Sequence, residues 1–189
     1  ISADGEYIVV GTTSDGDSGG KKVWLFDKDS STPLWNYTTG GPVYTVSISA
    51  DGKYIAAGSN DDKIYLFNKG SSTPLWSYTT GGDVESVSIS ADGEYVTAGT
   101  KWPDYKLYLF DKDSSTPLWS YNTTNGKVHT VSISADGEYI VAGSGDSDEK
   151  IYLFHKDSGT PVWNFSSDSG DILSVSISSD GEYIVSGSQ

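Results

Sequence analysis

The tetrapeptide Ser-Ala-Asp-Gly, or its twin Ser-Ser-Asp-Gly, begins at Ser2, Ser49, Ser90, Ser134 and Ser178 of a 189-residue chain. Such a recurrence constrains the fold more than any other feature. A unit repeated every ~40–45 residues is one small supersecondary structure that must bury its apolar surface against its own copies. In phase with Ile1, the repeats run 1–47, 48–88, 89–132 and 133–176. The remainder, 177–189, begins a fifth, so the opening "ISADGEYIVVGTT" returns at the end as "ISSDGEYIVSGSQ".

The second repeat predicts four strands. "VYTVSIS" (Val43–Ser49) puts Val46 and Ile48 on one side and small hydroxyl residues on the other. Asp51-Gly52 then turns the chain, Gly taking the positive φ of a tight hairpin. "KYIAAGS" and "KIYLFN" follow, the latter apolar on both faces through Ile64 and Leu66 on one side and Tyr65 and Phe67 on the other. After the turn residues "KGSSTP" comes a short outer strand, "LWSYT". A strand apolar on both sides must be covered on both sides. The same pattern at Val23–Phe26, Leu107–Phe110 and Ile151–Phe154 is unexplained by a flat sandwich. It predicts an all-β propeller of four-stranded antiparallel blades, about four of them in this chain.

"KIYLFNKGSSTPLWSYTTGGDVESVSIS" resembles the repeat of pyrroloquinoline-quinone-type propellers, and "SxDGxYIxxGSxD" resembles WD-type repeats without their Trp-Asp and Gly-His dipeptides. In the first family an Asp closing the third strand precedes, by eight residues, a Trp that docks between blades. Asp27 with Trp35 and Asp111 with Trp119 keep that spacing; Asn68 before Trp76 and His155 before Trp163 change the first residue. The resemblance therefore implies that Trp35, Trp76, Trp119 and Trp163 dock blades together. It also implies six to eight blades, so the expectation is part of a larger ring, or a ring completed by a second copy. Both families host enzymes, scaffolds and binding modules. No residue here identifies the quinone site, so no cofactor is expected.

The repeats differ in only two connections. From the Gly ending the second strand to the first apolar residue of the third, the steps are Gly11–Val23, Gly58–Ile64, Gly99–Leu107 and Gly143–Ile151. From the docking Trp to the next first strand they are Trp35–Val43, Trp76–Val84, Trp119–Val128 and Trp163–Ile172. Both connections leave an up-and-down blade on the same face, and loops on a rigid scaffold carry recognition. The second residue of each first strand varies on that face as well, as Tyr44, Glu85, His129 and Leu173. With Trp102 and Tyr105, taken as exposed aromatic anchors, these make the candidate binding face.

Composition narrows the function. Twenty-six acidic residues stand against 12 Lys, with no Arg, Cys or Met, for a net charge of −14. That balance opposes a nucleic-acid backbone or an anionic membrane surface, and no apolar run is long enough for a spanning helix. High surface charge serves solubility, with adaptation to salt as the alternative. Neither His129 nor His155 belongs to a recognisable catalytic set, and no catalysis is expected. "DGDSGG" (Asp15–Gly20), "NDDK" (Asn60–Lys63) and "GDSDEK" (Gly145–Lys150) offer oxygen ligands without calcium-loop spacing, and read as solvated acidic turns with no metal. Asn36, Asn122 and Asn164 begin Asn-x-Ser/Thr sequons, which favours an extracellular or cell-surface protein. The reading is a non-enzymatic binding or scaffold module for a protein or glycan partner, with self-association open. Part of a quinone-type enzyme and a structural component of an extracellular assembly are the alternatives.

Overall fold

The computed structural model describes residues 1–13, 20–167 and 170–189, and these contain strands and turns only. Three complete antiparallel blades are β4–β7 (Val43–Ile48, Tyr54–Ser59, Lys63–Asn68, Trp76–Thr79), β8–β11 (Val84–Ile89, Tyr95–Thr100, Lys106–Asp111, Trp119–Asn122) and β12–β15 (Val128–Ile133, Tyr139–Ser144, Lys150–His155, Trp163–Ser166). Ahead of them stands a three-stranded sheet, β1–β3 (Tyr7–Gly11, Lys22–Asp27, Trp35–Thr38). After them comes a two-stranded one, β16–β17 (Ile172–Ile177, Ile184–Ser188). The first strands β4, β8, β12 and β16 lie side by side around an axis, while β1 and β16 share no sheet. The propeller is thus an open arc.

Each turn between a blade's first two strands is built by the Ser-x-Asp-Gly motif itself. Ser49 Oγ donates to Asp51 Oδ1 at 2.7 Å, the Lys53 and Tyr54 amides donate to Asp51 Oδ1 and Ser49 Oγ, and Gly52 supplies a φ of 68°. The same bonds recur at Ser90, Ser134 and Ser178. The turns also join blade to blade: the Ala3, Ala50, Ala91 and Ala135 amides donate in succession to Ala50, Ala91, Ala135 and Ser179 carbonyls. Hydroxyls on the first strands extend this axial seam, as where Thr45 accepts from the Val87 amide at 3.1 Å.

Between blades the packing is apolar and aromatic. Ile64, Leu66, Phe67, Leu107, Leu109 and Phe110 are fully buried, because each blade is covered by its neighbours. Trp35, Trp76 and Trp119 each pack on the next blade. Their rings lie 5.4, 5.3 and 5.2 Å from Phe67, Phe110 and Phe154, and their indole N–H groups donate to the Lys69, Lys112 and Lys156 carbonyls. Trp163 does not dock, contrary to expectation. The next sheet, β16–β17, covers Ile151 and Leu153 of β14, but among the described residues it has no third strand for Trp163 to dock on, and Trp163 stays 40% exposed.

Asp27, Asn68, Asp111 and His155 share one task despite their different chemistry. Each side chain accepts the amide two residues on and so closes the turn before the outer strand. That equivalence explains why Asn and His replace Asp there.

Candidate functional site

The connections between second and third strands meet those between outer strand and next blade on one face, and side chains knit them together. Thr39, Thr80 and Thr123, each just past an outer strand, donate to the Lys21, Asp62 and Tyr105 carbonyls of the neighbouring loop. Across the blade boundary the Gly40 amide donates to Asp61 Oδ2, while the Asn60 amide donates to the Pro42 carbonyl and extends the β4–β5 ladder.

One carboxylate in each described loop is structural. Tyr65, Tyr108 and Tyr152 hydroxyls donate to Asp61, Asp104 and Asp148 at 2.6, 2.7 and 2.6 Å. Asp104 and Asp148 are buried and also take Lys106 and Lys150 at 3.1 Å each. Burial, then the hydrogen bond to the adjacent carboxylate, pushes all three phenols far above the ordinary tyrosine range. The reading of "GDSDEK" as a merely solvated turn is therefore corrected at Asp148, which a buried site requires to be paired and which Tyr152 and Lys150 pair. In "NDDK" Asp61 is half-buried and takes the Tyr65 hydroxyl and the Gly40 amide. "DGDSGG" lies outside the described residues except for Gly20. Among the described residues no group of three or more acidic or His side chains could hold a metal.

The variable second residues are placed by a device invisible in the sequence. The register of first and second strands slips between Val43 and Thr45, Val84 and Ser86, Val128 and Thr130, and Ile172 and Ser174. Each slip is a β-bulge, and the bulged residue is Tyr44, Glu85, His129 or Leu173. A bulge re-aims the side chain it carries.

Three of these four join inter-blade networks. Lys101 links the first two: its Nζ lies 4.6 Å from the Tyr44 ring centre, 3.1 Å from Asp83 Oδ2 and 3.3 Å from Glu85 Oε2. That Glu85 oxygen has no hydrogen bond, so the contact is one of charge alone. Burial opposes the Lys101 charge, but Asp83 and Glu85 outweigh it and hold the ammonium above its usual range. His129 Nε2 lies 3.1 Å from Asp171 Oδ2, a contact that lowers the Asp171 carboxyl, and Lys127 reaches Asp146 and Asp171. Leu173 stands exposed.

Between these networks lies a cleft of about 420 Å³, lined by Asp62, Asp83, Lys101, Trp102, Pro103, Lys127 and Asp146. Trp102 is 71% exposed at its rim, preceding a cis peptide bond to Pro103. Burial and then the facing Asp83 charge push the Asp62 carboxyl above the ordinary range. Tyr105 corrects the expectation of a second exposed anchor. It is half-buried, does not line the cleft, takes a φ of 52° and accepts Thr123 through its carbonyl. All the charged lining residues fall in the two connections whose variation marks this face: Asp83 and Lys127 directly precede a first strand, and Asp62, Lys101 and Asp146 lie in the loops after a second strand.

Asn36, Asn122 and Asn164 all lie on outer strands with exposed side chains. No helix is long and apolar enough to cross a membrane. A family model described as the outer membrane protein assembly factor BamB, of the quinone-type repeat class, matches residues 17–179. No curated protein matches the chain.

Proposed function

The chain belongs to that quinone-type propeller repeat family, and from this premise we propose that it is a non-enzymatic protein-interaction module whose loop face receives a basic segment of a partner protein. One observation carries the reading: an exposed Trp102 stands over a cleft in which Asp62 and Asp83 face each other. Lys101 already pairs with Asp83, so a partner's cation beside Asp62 offsets the repulsion that remains, and the indole offers a flat surface for its stem. The matching family model is named for an assembly factor, which agrees with a role in holding other proteins. The axial seam and stacked blades keep the loops rigid, so little ordering opposes binding.

A cell-surface or extracellular setting fits the three sequons on solvent-facing outer strands and the surplus of acid. The test is peptide display against the immobilised protein. Selection of Lys- or Arg-bearing segments with an adjacent apolar residue, lost in Trp102→Ala and Asp83→Asn proteins of unchanged circular dichroism, supports the proposal. Selection indifferent to both substitutions overturns it.

A further inference from the structure

One loop on the variable face differs from its sisters in chemistry as well as in length. Two of the connections that follow an outer strand read Thr39-Gly40-Gly41 and Thr80-Gly81-Gly82, and in both the Thr hydroxyl donates to the carbonyl of the second Gly. The next is one residue longer, Thr123-Thr124-Asn125-Gly126, and there Thr123 donates to the Gly126 carbonyl. Gly126 thus stands where Gly41 and Gly82 stand, and Asn125 brings a carboxamide to a place where the sister loops have no side chain. Asn125 is exposed at a φ of 59°, a left-handed conformation that Asn tolerates better than most residues. Gly126 is buried, and a Cβ on it would strike Asp148 and the Gly145 carbonyl, so no larger residue fits after Asn125.

Asn is a thermolabile side chain, and Gly after it leaves the main-chain nitrogen without a Cβ to shield it. That nitrogen can close a five-membered ring on the Asn Cγ. The Ser-x-Asp-Gly turns offer the same ring size, but both reacting groups are occupied there. In each the Gly amide donates to the carbonyl of the Ser three residues before, as Gly52 to Ser49 at 2.9 Å. The Asp Oδ1 accepts that Ser hydroxyl and the amide two residues on, and a carboxylate is a poorer electrophile than a carboxamide. Between Asn125 and Gly126 nothing is held. Among the described residues the Gly126 amide donates to no acceptor, the Asn125 carbonyl accepts no donor, and the Asn125 carboxamide has no partner. The peptide joining them is free to turn its nitrogen towards Cγ.

We propose that Asn125 is a site of spontaneous deamidation on the wall of the loop face. The Gly126 nitrogen attacks Asn125 Cγ, a Cγ–N bond forms, and the carboxamide nitrogen leaves as ammonia with the Gly126 amide proton. Water then opens the succinimide. Attack of water on Cγ leaves an ordinary aspartyl residue; attack on the main-chain carbonyl leaves an isoaspartyl residue, whose chain runs through the side chain and is one carbon longer. Asn125 is exposed, so water can enter and ammonia can leave. Either product adds a negative charge two residues from Lys127, whose Nζ lies 3.3 Å from Asp146 and which lines the cleft with Asp62 and Asp83. The isoaspartyl form also lengthens a loop pinned at Thr123 by the Tyr105 carbonyl and at Gly126 by Gly145 and Asp148, so it displaces Lys127 from Asp146.

Freshly purified protein, kept in warm and mildly alkaline buffer, is followed by anion exchange, by released ammonia and by peptide mapping with electron-transfer fragmentation, which tells isoaspartyl from aspartyl. Acid should accumulate first at position 125, with one ammonia for each chain converted and more isoaspartyl than aspartyl product, while the Ser-x-Asp-Gly turns stay aspartyl. Asn125→Gly, which copies Gly40 and Gly81 of the sister loops, should remove both the ammonia and the acidic species at unchanged circular dichroism. An amide that persists at position 125 of the folded protein, over the time in which the isolated peptide of residues 123–128 is consumed, overturns the proposal. So does isoaspartate arising in the folded Ser-x-Asp-Gly turns as fast as at position 125.

Discussion

Gly93 and Tyr108 each show one residue tying two elements together. A Cβ at Gly93 would stand 2.5 Å from Tyr54 Cδ2, at a φ of 76°. Gly93→Ala therefore costs about 2–3 kcal/mol, from left-handed backbone strain plus displacement of the ring, read from the denaturant midpoint. Tyr108→Phe leaves Asp104 Oδ2 with the weaker Thr100 bond at 3.1 Å. Removing one partner of a buried carboxylate costs about 1–3 kcal/mol, and the same denaturation experiment reports it. At this scale the sequence was partly legible. Gly after Asp announced its turn, and Asn68 and His155 stand in for Asp because all three side chains can accept an amide. The burial of Asp104 and Asp148 was not legible, since nothing in an acidic loop says which carboxylate points inward to a tyrosine of the following strand.

Turns and bulges are where elements acquire their function. In the Ser-x-Asp-Gly turn, the Ser134 hydroxyl and then the Glu138 amide lower the Asp136 carboxyl, and Ser2 and Glu6 do so at Asp4. A carboxyl depressed in the folded state contributes stability that is complete above its unfolded value of about 3.9 and is lost as pH falls through the folded one. The melting temperature should therefore drop steeply below about pH 4, and Ser134→Ala should shallow that drop. Asp62 has the opposite sign. Its raised carboxyl contributes stability at low pH that is lost as pH rises through the folded value, so Asp62→Asn should melt higher at pH 7 while weakening the partner. Thermal melts across pH check both. Strand identity was readable because "KIYLFN" is apolar on both sides. The bulges were not, because a slip in register exists only between two strands, so variation marked Tyr44 and Glu85 without showing that Lys101 joins them.

For the whole molecule, repetition made the architecture legible and also left its ends open. Each blade is covered only by its neighbours, so the last one exposes the docking residue Trp163 and the first half-exposes Trp24 and Phe26. The sequence placed all four tryptophans in one class because it cannot show which unit lacks a neighbour. A net charge of −14 makes association with a basic partner steered and salt-sensitive. Raising ionic strength from about 0.05 to 0.5 M should slow association at least tenfold while changing dissociation little, as surface plasmon resonance would record. The central claim is that successive blades stack through indoles bonded to the next blade's backbone. It is tested most directly by hydrogen exchange of the indole N–H groups in nuclear magnetic resonance. Trp35, Trp76 and Trp119 should exchange slowly and Trp102 at the rate of free indole; equal, fast exchange of all four would contradict the account.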